Sequence, residues 1–378
     1  MIKHISSFAF LLFSLNLAAQ TPPKFESFEI DIDATRTNFF DAIEHIEIIR
    51  LEETEKTLLG EIDHYFKTPS GFVIPYMPIS KPARLILFDK QGNYINEISK
   101  SGLGPEEYRN ISDAWFKDGH IALFSGWSRR IQHYTESGEY VGSIEARYDK
   151  SISGWAMIPY QKGYIFHQMG TPPNGNELIF TDNLLNLTGK SAPVAKPHPL
   201  PFTQKKVFSS LRESIFYMKP LRDSVFQIMN SKAYPRFKFD FGNEWLWSNP
   251  KHMKSPVTAM NAMSAEAKVY MVYPYIGEWR IFLTYLFYED KLVHQKKGYI
   301  DRETGDFFRF DLRKKDKEDY NLTFLTWEDD RLVSSIAAYD FEEFMDNLKS
   351  DQWAVKGGFD LEEIFQSENP VLLKIKFK

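Results

Sequence analysis

The 378-residue chain contains no cysteine. Disulfides are therefore excluded, and so is lipid attachment at a signal-peptide cysteine. Long hydrophobic runs are missing too. Beyond the N-terminal residues no segment reaches the 18 apolar residues that a membrane-crossing helix needs. Basic excess is also absent. The formal net charge is −5, a poor balance for neutralising nucleic-acid phosphates. The nine histidines are scattered, with His120 in a tight turn and His133 in an alternating strand, and no HExxH, GxSxG, CxxC or EF-hand pattern occurs. No strong signature of catalysis or of metal binding is present.

The chain begins with a cation and a short apolar core. Lys3 precedes a mostly apolar run from Phe8 to Leu17, followed by the small pair Ala18-Ala19. This pattern predicts a secretory signal peptide over residues 1–19, with Gln20 as the new N-terminus. A periplasmic or secreted protein follows, with no transmembrane segment in the mature chain. The rest reads as soluble and globular, with 43% hydrophobic, 26% charged and 16% aromatic residues.

A repeat organises that remainder. RLILFDKQGNYINEI (84–98) aligns without gaps on RIQHYTESGEYVGSI (130–144) at an offset of 46. Arg84/Arg130, Gly92/Gly138, Tyr94/Tyr140 and Ile98/Ile144 are identical. Each copy predicts a strand, a glycine turn and a second strand. Weaker copies follow at 177–189, 223–242 and 297–311. Further strand pairs lie between them, as in ISDAWF–KDGH–IALF (111–124). Four short strands per period of roughly 46 residues mark a β-propeller blade. The expectation is all-β: a six-bladed β-propeller of four-stranded antiparallel blades, as a single domain over 20–378, with an insertion near 243–270. VLLKIKFK (371–378) is expected to pair with strands near the N-terminus and close the ring, since an open sheet edge would be exposed.

GLGPEEY (102–108) joins an outermost strand to the next innermost one. Gly102, Gly104 and Pro105 read as a structural turn, the glycines supplying positive φ and the proline a fixed bend. A phosphate cradle is excluded because no GxGxxG or P-loop pattern is present. The run ILFDKQGNYINEISKSGLGPEEYRNISD resembles a bacterial six-bladed propeller family found mostly in Bacteroidota and distantly similar to NHL-repeat and TolB-like proteins. Its members share a G-x-G-P-x-E-Y crossover after an FD-x-x-G hairpin. HIEIIRLEETEKTLLGEID and ENPVLLKIKFK fit the same pattern. The resemblance implies an exported propeller and no established activity. Many members look like lipoproteins; this chain departs from them in lacking the cysteine.

Binding candidates come from topology. Strand-connecting loops at 75–83, 125–129 and 168–176 and crossovers at 102–109 and 145–154 should ring one face. They supply Tyr76, Glu107, Tyr108, Arg109, Trp127, Arg129, Arg147, Tyr148 and Trp155. Aromatics beside arginine suit stacking or packing on a partner, although such rings also fill β cores. The reading is a monomeric, non-catalytic module presenting this face to a glycan, peptide or envelope protein, with no cofactor. A lyase, lactonase or hydrolase holding calcium or zinc in the channel is an alternative, with Asp113 as one inward acid. A scaffold in an envelope complex is another.

Overall fold

A computed structural model describes residues 22–78, 82–146, 152, 154–168, 175–193, 206–219, 221–289, 292–315 and 318–378. The expected leader, residues 1–19, lies outside them. Six small sheets are arranged as a six-bladed propeller. Blade I is Phe66–Lys67, Gly71–Tyr76, Arg84–Asp89 and Tyr94–Ile98, in order from the axis outward. Blade II is Asp113–Lys117, His120–Ser125, Arg130–Tyr134 and Tyr140–Glu145. Blade III is Ala156–Tyr160, Gly163–His167, Asn176–Thr181 and Leu187–Pro193. We refer to the four strands of a blade as A to D.

The repeat pattern becomes the C–D hairpin of blades I to V. At its turn a short polar side chain accepts backbone N–H groups: Asp89 Oδ1 from Gln91 and Asn93 at 2.8 and 2.9 Å, and Asp182 Oδ1 from Leu184 and Asn186 at 2.9 and 2.8 Å. Thr135 takes the same role in blade II, receiving the Glu139 N–H at 3.1 Å. Gly92 and Gly138 adopt φ of +93° and +84°, a region closed to most side chains, and this fixes the turn.

Blades IV to VI depart from four strands. Blade IV runs Phe208–Leu211, Ser214–Met218, Ser224–Met229 and Lys232–Asp240, and Glu26–Glu29 adds a fifth strand parallel to its outer edge. Blade V runs Val269–Ile276, Arg280–Glu289, Leu292–Asp301 and Phe307–Asp311, with Arg36–Asn38 added in the same way. Blade VI is composite. Leu322–Glu328 and Arg331–Ile336 are its inner strands, the C-terminal Val371–Phe377 is its third, and the N-terminal Ile43–Ile49 is its fourth. Leu373 pairs with Ile48 and Ile375 with Ile46, so the expected ring closure is the observed one. Trp353–Val355 covers the outer edge.

Two prolonged connections depart from the strand pattern. The segment between blades IV and V forms two 3-10 turns and the helix Pro256–Ala265, started by a Ser255–Thr258 capping box. It buries Trp245, Leu246 and Trp247 against both blades. The chain after Arg331–Ile336 forms the helix Ala338–Met345, which lays Phe341 and Phe344 on blade VI. Between blades the core is aromatic. Phe282 contacts the rings of Phe310, Phe324, Trp327 and Phe377 at centroid distances of 4.6–5.5 Å.

Because the strands alternate in direction, the D–A crossovers and B–C loops emerge on one face and the A–B and C–D turns on the other. We call these the loop face and the turn face.

Candidate functional site

The GLGPEEY crossover is held on every side by bonds within the chain. The Glu107 carboxylate accepts the Leu103 and Gly104 N–H groups, each at 2.7 Å. Blade II fastens the loop from outside: Arg130 donates to the Gly104 carbonyl at 3.2 Å, Gln132 to Glu107 at 2.9 Å, Tyr134 to Glu106 at 3.1 Å and Tyr140 to Pro105 at 3.1 Å. The glycines do not take positive φ, contrary to expectation. They are needed for space: a Cβ on Gly102 would stand 2.0 Å from Glu107 Oε2, and one on Gly104 3.2 Å from it. Tyr108 is 1% exposed, and its hydroxyl donates to the carbonyls of Ala83 at 2.7 Å and Ile98 at 3.1 Å. Burial pushes its pKa up to about 12. The ring therefore sits in the core between blades I and II, not on a binding face.

The other loop-face candidates divide. Tyr76 is half-buried under the Arg84 guanidinium, 5.4 Å from the ring centroid. Arg109 is exposed. Next to it, Asn110 Oδ1 accepts from Ser125 Oγ and the Trp127 N–H, both at 3.1 Å, and Ser112 Oγ accepts the Gly126 N–H at 3.2 Å. This turn holds Trp127 out at 69% exposure and Arg129 at φ +51°. A Cβ on Gly126 would be 2.5 Å from the Gly154 carbonyl oxygen, so the 126 and 154 loops touch. Trp155 follows at 47% exposure, with its N–H donating to His167 at 3.0 Å. The fold thus brings Trp127 and Trp155 onto adjoining, braced loops. Arg147 and Tyr148 lie outside the described residues.

A second concavity follows the axis. About 350 Å³ of space is enclosed by the A strands and their approaches, with Trp115, Phe116, Phe208, Tyr273, Tyr275 and Trp327 among its walls. Two crossovers deliver basic side chains into it: His64 and Lys206 each stand two residues before a strand A, in blades I and IV. Lys206 Nζ donates to the Phe324 carbonyl at 3.2 Å and lies 5.3 Å from the Tyr275 ring centroid, so it reaches blades V and VI. Toward the turn face, Glu328 accepts from the Tyr65 hydroxyl and from Lys374 Nζ at 2.8 Å, with Lys67 at 3.9 Å.

Behind His64 lies Asp113, the first residue of strand A in blade II. It is 6% exposed, and its oxygens accept the Ala114 and Met157 N–H groups at 2.9 Å each. His64 Nε2 is 3.7 Å away. Burial drives its pKa up to about 7, against the pull of those two N–H donors. Asp113, expected as an inward acid, is buried and ties blade II to blade III. Among the described residues, no three His, Asp or Glu side chains gather as a metal site.

A sequence profile described as a domain of unknown function, DUF4934, matches residues 27–376. The chain belongs to the DUF4934 family. Comparison with curated proteins finds no match. Among solved structures, a presumed exported protein from Bacteroides fragilis superposes with a TM-score of 0.72 at 15% identity, over 94% of this chain and 100% of that one. A member of the DUF4221 family from Bacteroides vulgatus gives 0.51 at 11% identity, over 89% and 97%. At such identities the likeness is one of fold. It agrees with the resemblance to exported Bacteroidota propellers, and it places this DUF4934 chain among six-bladed folds. Among the described residues no helix is long and apolar enough to cross a membrane.

Sequence reasoning did not find His64, Lys206 or Glu328. Each comes from a different crossover or strand, and no spacing along the chain marks their meeting at the axis.

Proposed function

We propose that this is an exported, non-catalytic binding propeller, periplasmic or secreted, that engages a glycan or peptide through its loop face at blades II and III. The observation that carries this reading is the pair Trp127 and Trp155. Both are exposed; Asn110 and Ser112 brace the turn that carries Trp127, and the Trp155 N–H bonds the His167 carbonyl. Large rings presented without loss of conformational freedom are the usual anchors of recognition; Arg129 lies in the Trp127 loop and Arg109 on the 102–109 crossover of the same face. The test is a glycan and peptide array probed with the unsubstituted protein, with Trp127→Ala and with Trp279→Ala. Trp279 is 72% exposed on the turn face and serves as the control. Saturable binding lost only in Trp127→Ala supports the reading. Equal loss in both variants, or binding indifferent to Trp127, removes it.

One observation favours a lyase, lactonase or hydrolase instead: His64 faces the channel with the buried Asp113 carboxyl 3.7 Å behind it. A carboxyl group so placed can orient an imidazole for proton transfer. Turnover of any ester or lactone substrate that His64→Gln abolishes would shift the assignment to this reading.

A further inference from the structure

Three of the outer sheet edges are covered by added strands. Blades IV, V and VI each end in a segment that lies parallel to strand D: Glu26–Glu29, Arg36–Asn38 and Trp353–Val355. Two of these segments carry bulky apolar residues at alternate positions. Phe28 and Ile30 enter the core between blades IV and V, and Trp353 and Val355 pack on the core of blade VI. Parallel pairing is slightly weaker per residue than antiparallel pairing, so side-chain anchors of this kind matter. The protein thus closes its own blades with an extended segment, parallel to strand D, whose two anchors are separated by one residue.

A bare strand edge offers its N–H and carbonyl groups to any extended chain, and proteins protect it with charge, proline or a cover. Blades I and III have such protection. In blade I the Tyr94 N–H donates to Glu52 at 2.7 Å and the Glu97 N–H to Asn96 Oδ1 at 2.8 Å. In blade III strand D carries Lys190 and ends on Pro193, with Ala192 at φ +54°. The Ala233 N–H of blade IV also reaches Ser191 Oγ there, at 3.2 Å. Blade II differs. Its strand D, Tyr140–Glu145, reads YVGSIE and has no lysine, arginine or proline. Its one charged residue, Glu145, stands at the last position, 3.7 Å from Arg130. Among the described residues, nothing beyond strand C bonds the main chain of Tyr140–Glu145. Val141 is 51% exposed, and a Cβ on Gly142 would meet nothing within 4 Å, so there is room along this edge.

We infer that the outer edge of blade II docks an extended peptide segment of a partner protein. The segment adds as a fifth strand parallel to Tyr140–Glu145 and brings two bulky apolar residues at alternate positions. Main-chain bonds supply the attraction, and the alternate anchors select the partner. Two copies of this protein meeting here about a two-fold axis would pair antiparallel, whereas all three added strands of this fold are parallel.

The probe is the end-blocked, uncharged-overall peptide KTWSVTE, fluorescently labelled and titrated by anisotropy. It should bind saturably. The same peptide N-methylated at its Trp, Ser and Val, and the anchorless KTSSSTE, should bind at least about tenfold more weakly. Val141→Lys should weaken binding by about tenfold or more. Ile95→Lys, the same charge at the equivalent position of blade I, should change it by less than about threefold. Both residues are exposed, so both variants keep the fold. A photo-crosslinker at the peptide N-terminus should capture residues at the Tyr140 end, and one at its C-terminus residues at the Glu145 end. The inference falls if the N-methylated peptide binds equally well, if the two lysine variants act alike, if the cross-links come in reverse order, or if no binding is seen below about 1 mM. Self-association of the free protein that Val141→Lys abolishes would overturn it in favour of a second copy. The comparison of plain with N-methylated peptide needs only the unsubstituted protein. Trp127→Ala should leave the titration unaltered, which keeps this result independent of the loop-face reading.

Discussion

Alanine at Gly102 should destabilise the protein through Glu107 alone, and this can be shown by a change of sign. The new Cβ would stand 2.0 Å from Glu107 Oε2, a clash that ends when the flexible carboxylate swings away. Leaving costs it the bonds from the Leu103 and Gly104 N–H groups. A side-chain oxygen lost from backbone donors in this way costs about 0.5–2 kcal/mol, and we take about 1 kcal/mol for an exposed carboxylate. The backbone itself accepts alanine, since Gly102 is outside the left-handed region. With Glu107→Ala already made, the clash disappears. Gly102→Ala then restricts only the unfolded chain and should stabilise by about 0.4–1 kcal/mol. That gain applies in both backgrounds and cancels, so the coupling between the two sites is about 1 kcal/mol. Equilibrium urea denaturation of the four proteins in the cycle measures it, as midpoint shifts at a common m value. Equal destabilisation by Gly102→Ala in both backgrounds would refute the steric account and show that the backbone itself requires glycine.

Three further outcomes are expected. Tyr108→Phe, which leaves the Ala83 and Ile98 carbonyls without their hydroxyl donor, should cost about 1–3 kcal/mol in denaturation, whereas Arg109→Ala beside it should stay within about 0.5 kcal/mol. Asn369 is fully buried and bridges the Leu59 N–H at 2.8 Å to the Thr57 carbonyl at 2.9 Å, so Asn369→Ala should cost at least about 2 kcal/mol in the same assay by orphaning both groups. Asp113, raised to about 7 by burial, keeps its proton in the folded chain at pH values where the unfolded carboxyl, near 3.9, has lost it. Its contribution to stability is thus full below about pH 4, is lost as pH rises to about 7, and amounts to at most about 4 kcal/mol. Melting temperature against pH should show this fall in the unsubstituted protein and a flatter profile in Asp113→Asn.

Much of the fold was legible because a blade is written locally. The period from Arg84 to Arg130, the turn glycines Gly92 and Gly138, and the alternation in VLLKIKFK each follow from residues close in sequence, and they yielded the hairpins and the closing strand. The added outer strands of blades IV to VI were not legible. Glu26–Glu29, Arg36–Asn38 and Trp353–Val355 hold three or four residues each, too few for a period, and all three lie parallel to partners far along the chain. Strand alternation fixes the face on which the described loop-face candidates emerge. It does not fix burial, and Tyr108 and Trp127 therefore read alike in sequence yet differ between 1% and 69% exposure. The axial cavity was hidden for another reason: Lys206 and Phe324 meet across 118 positions of sequence.

The N-terminal strands also set an order of events. Glu26 pairs with Phe237, Arg36 with Arg309, and Ile48 with Leu373. These N-terminal strands must therefore wait for partners made much later, and Ile43–Ile49 waits for the C-terminal strand itself. Blades I to III can form from contiguous chain, while IV, V and VI are completed by one thread drawn back across all three. Such long-range pairing slows folding, and it leaves the ring unlocked until its final strand arrives. A single proteolytic cut between residues 39 and 42 would sever the added strands of blades IV and V from the chain together, so this thread acts as the fastening of half the ring.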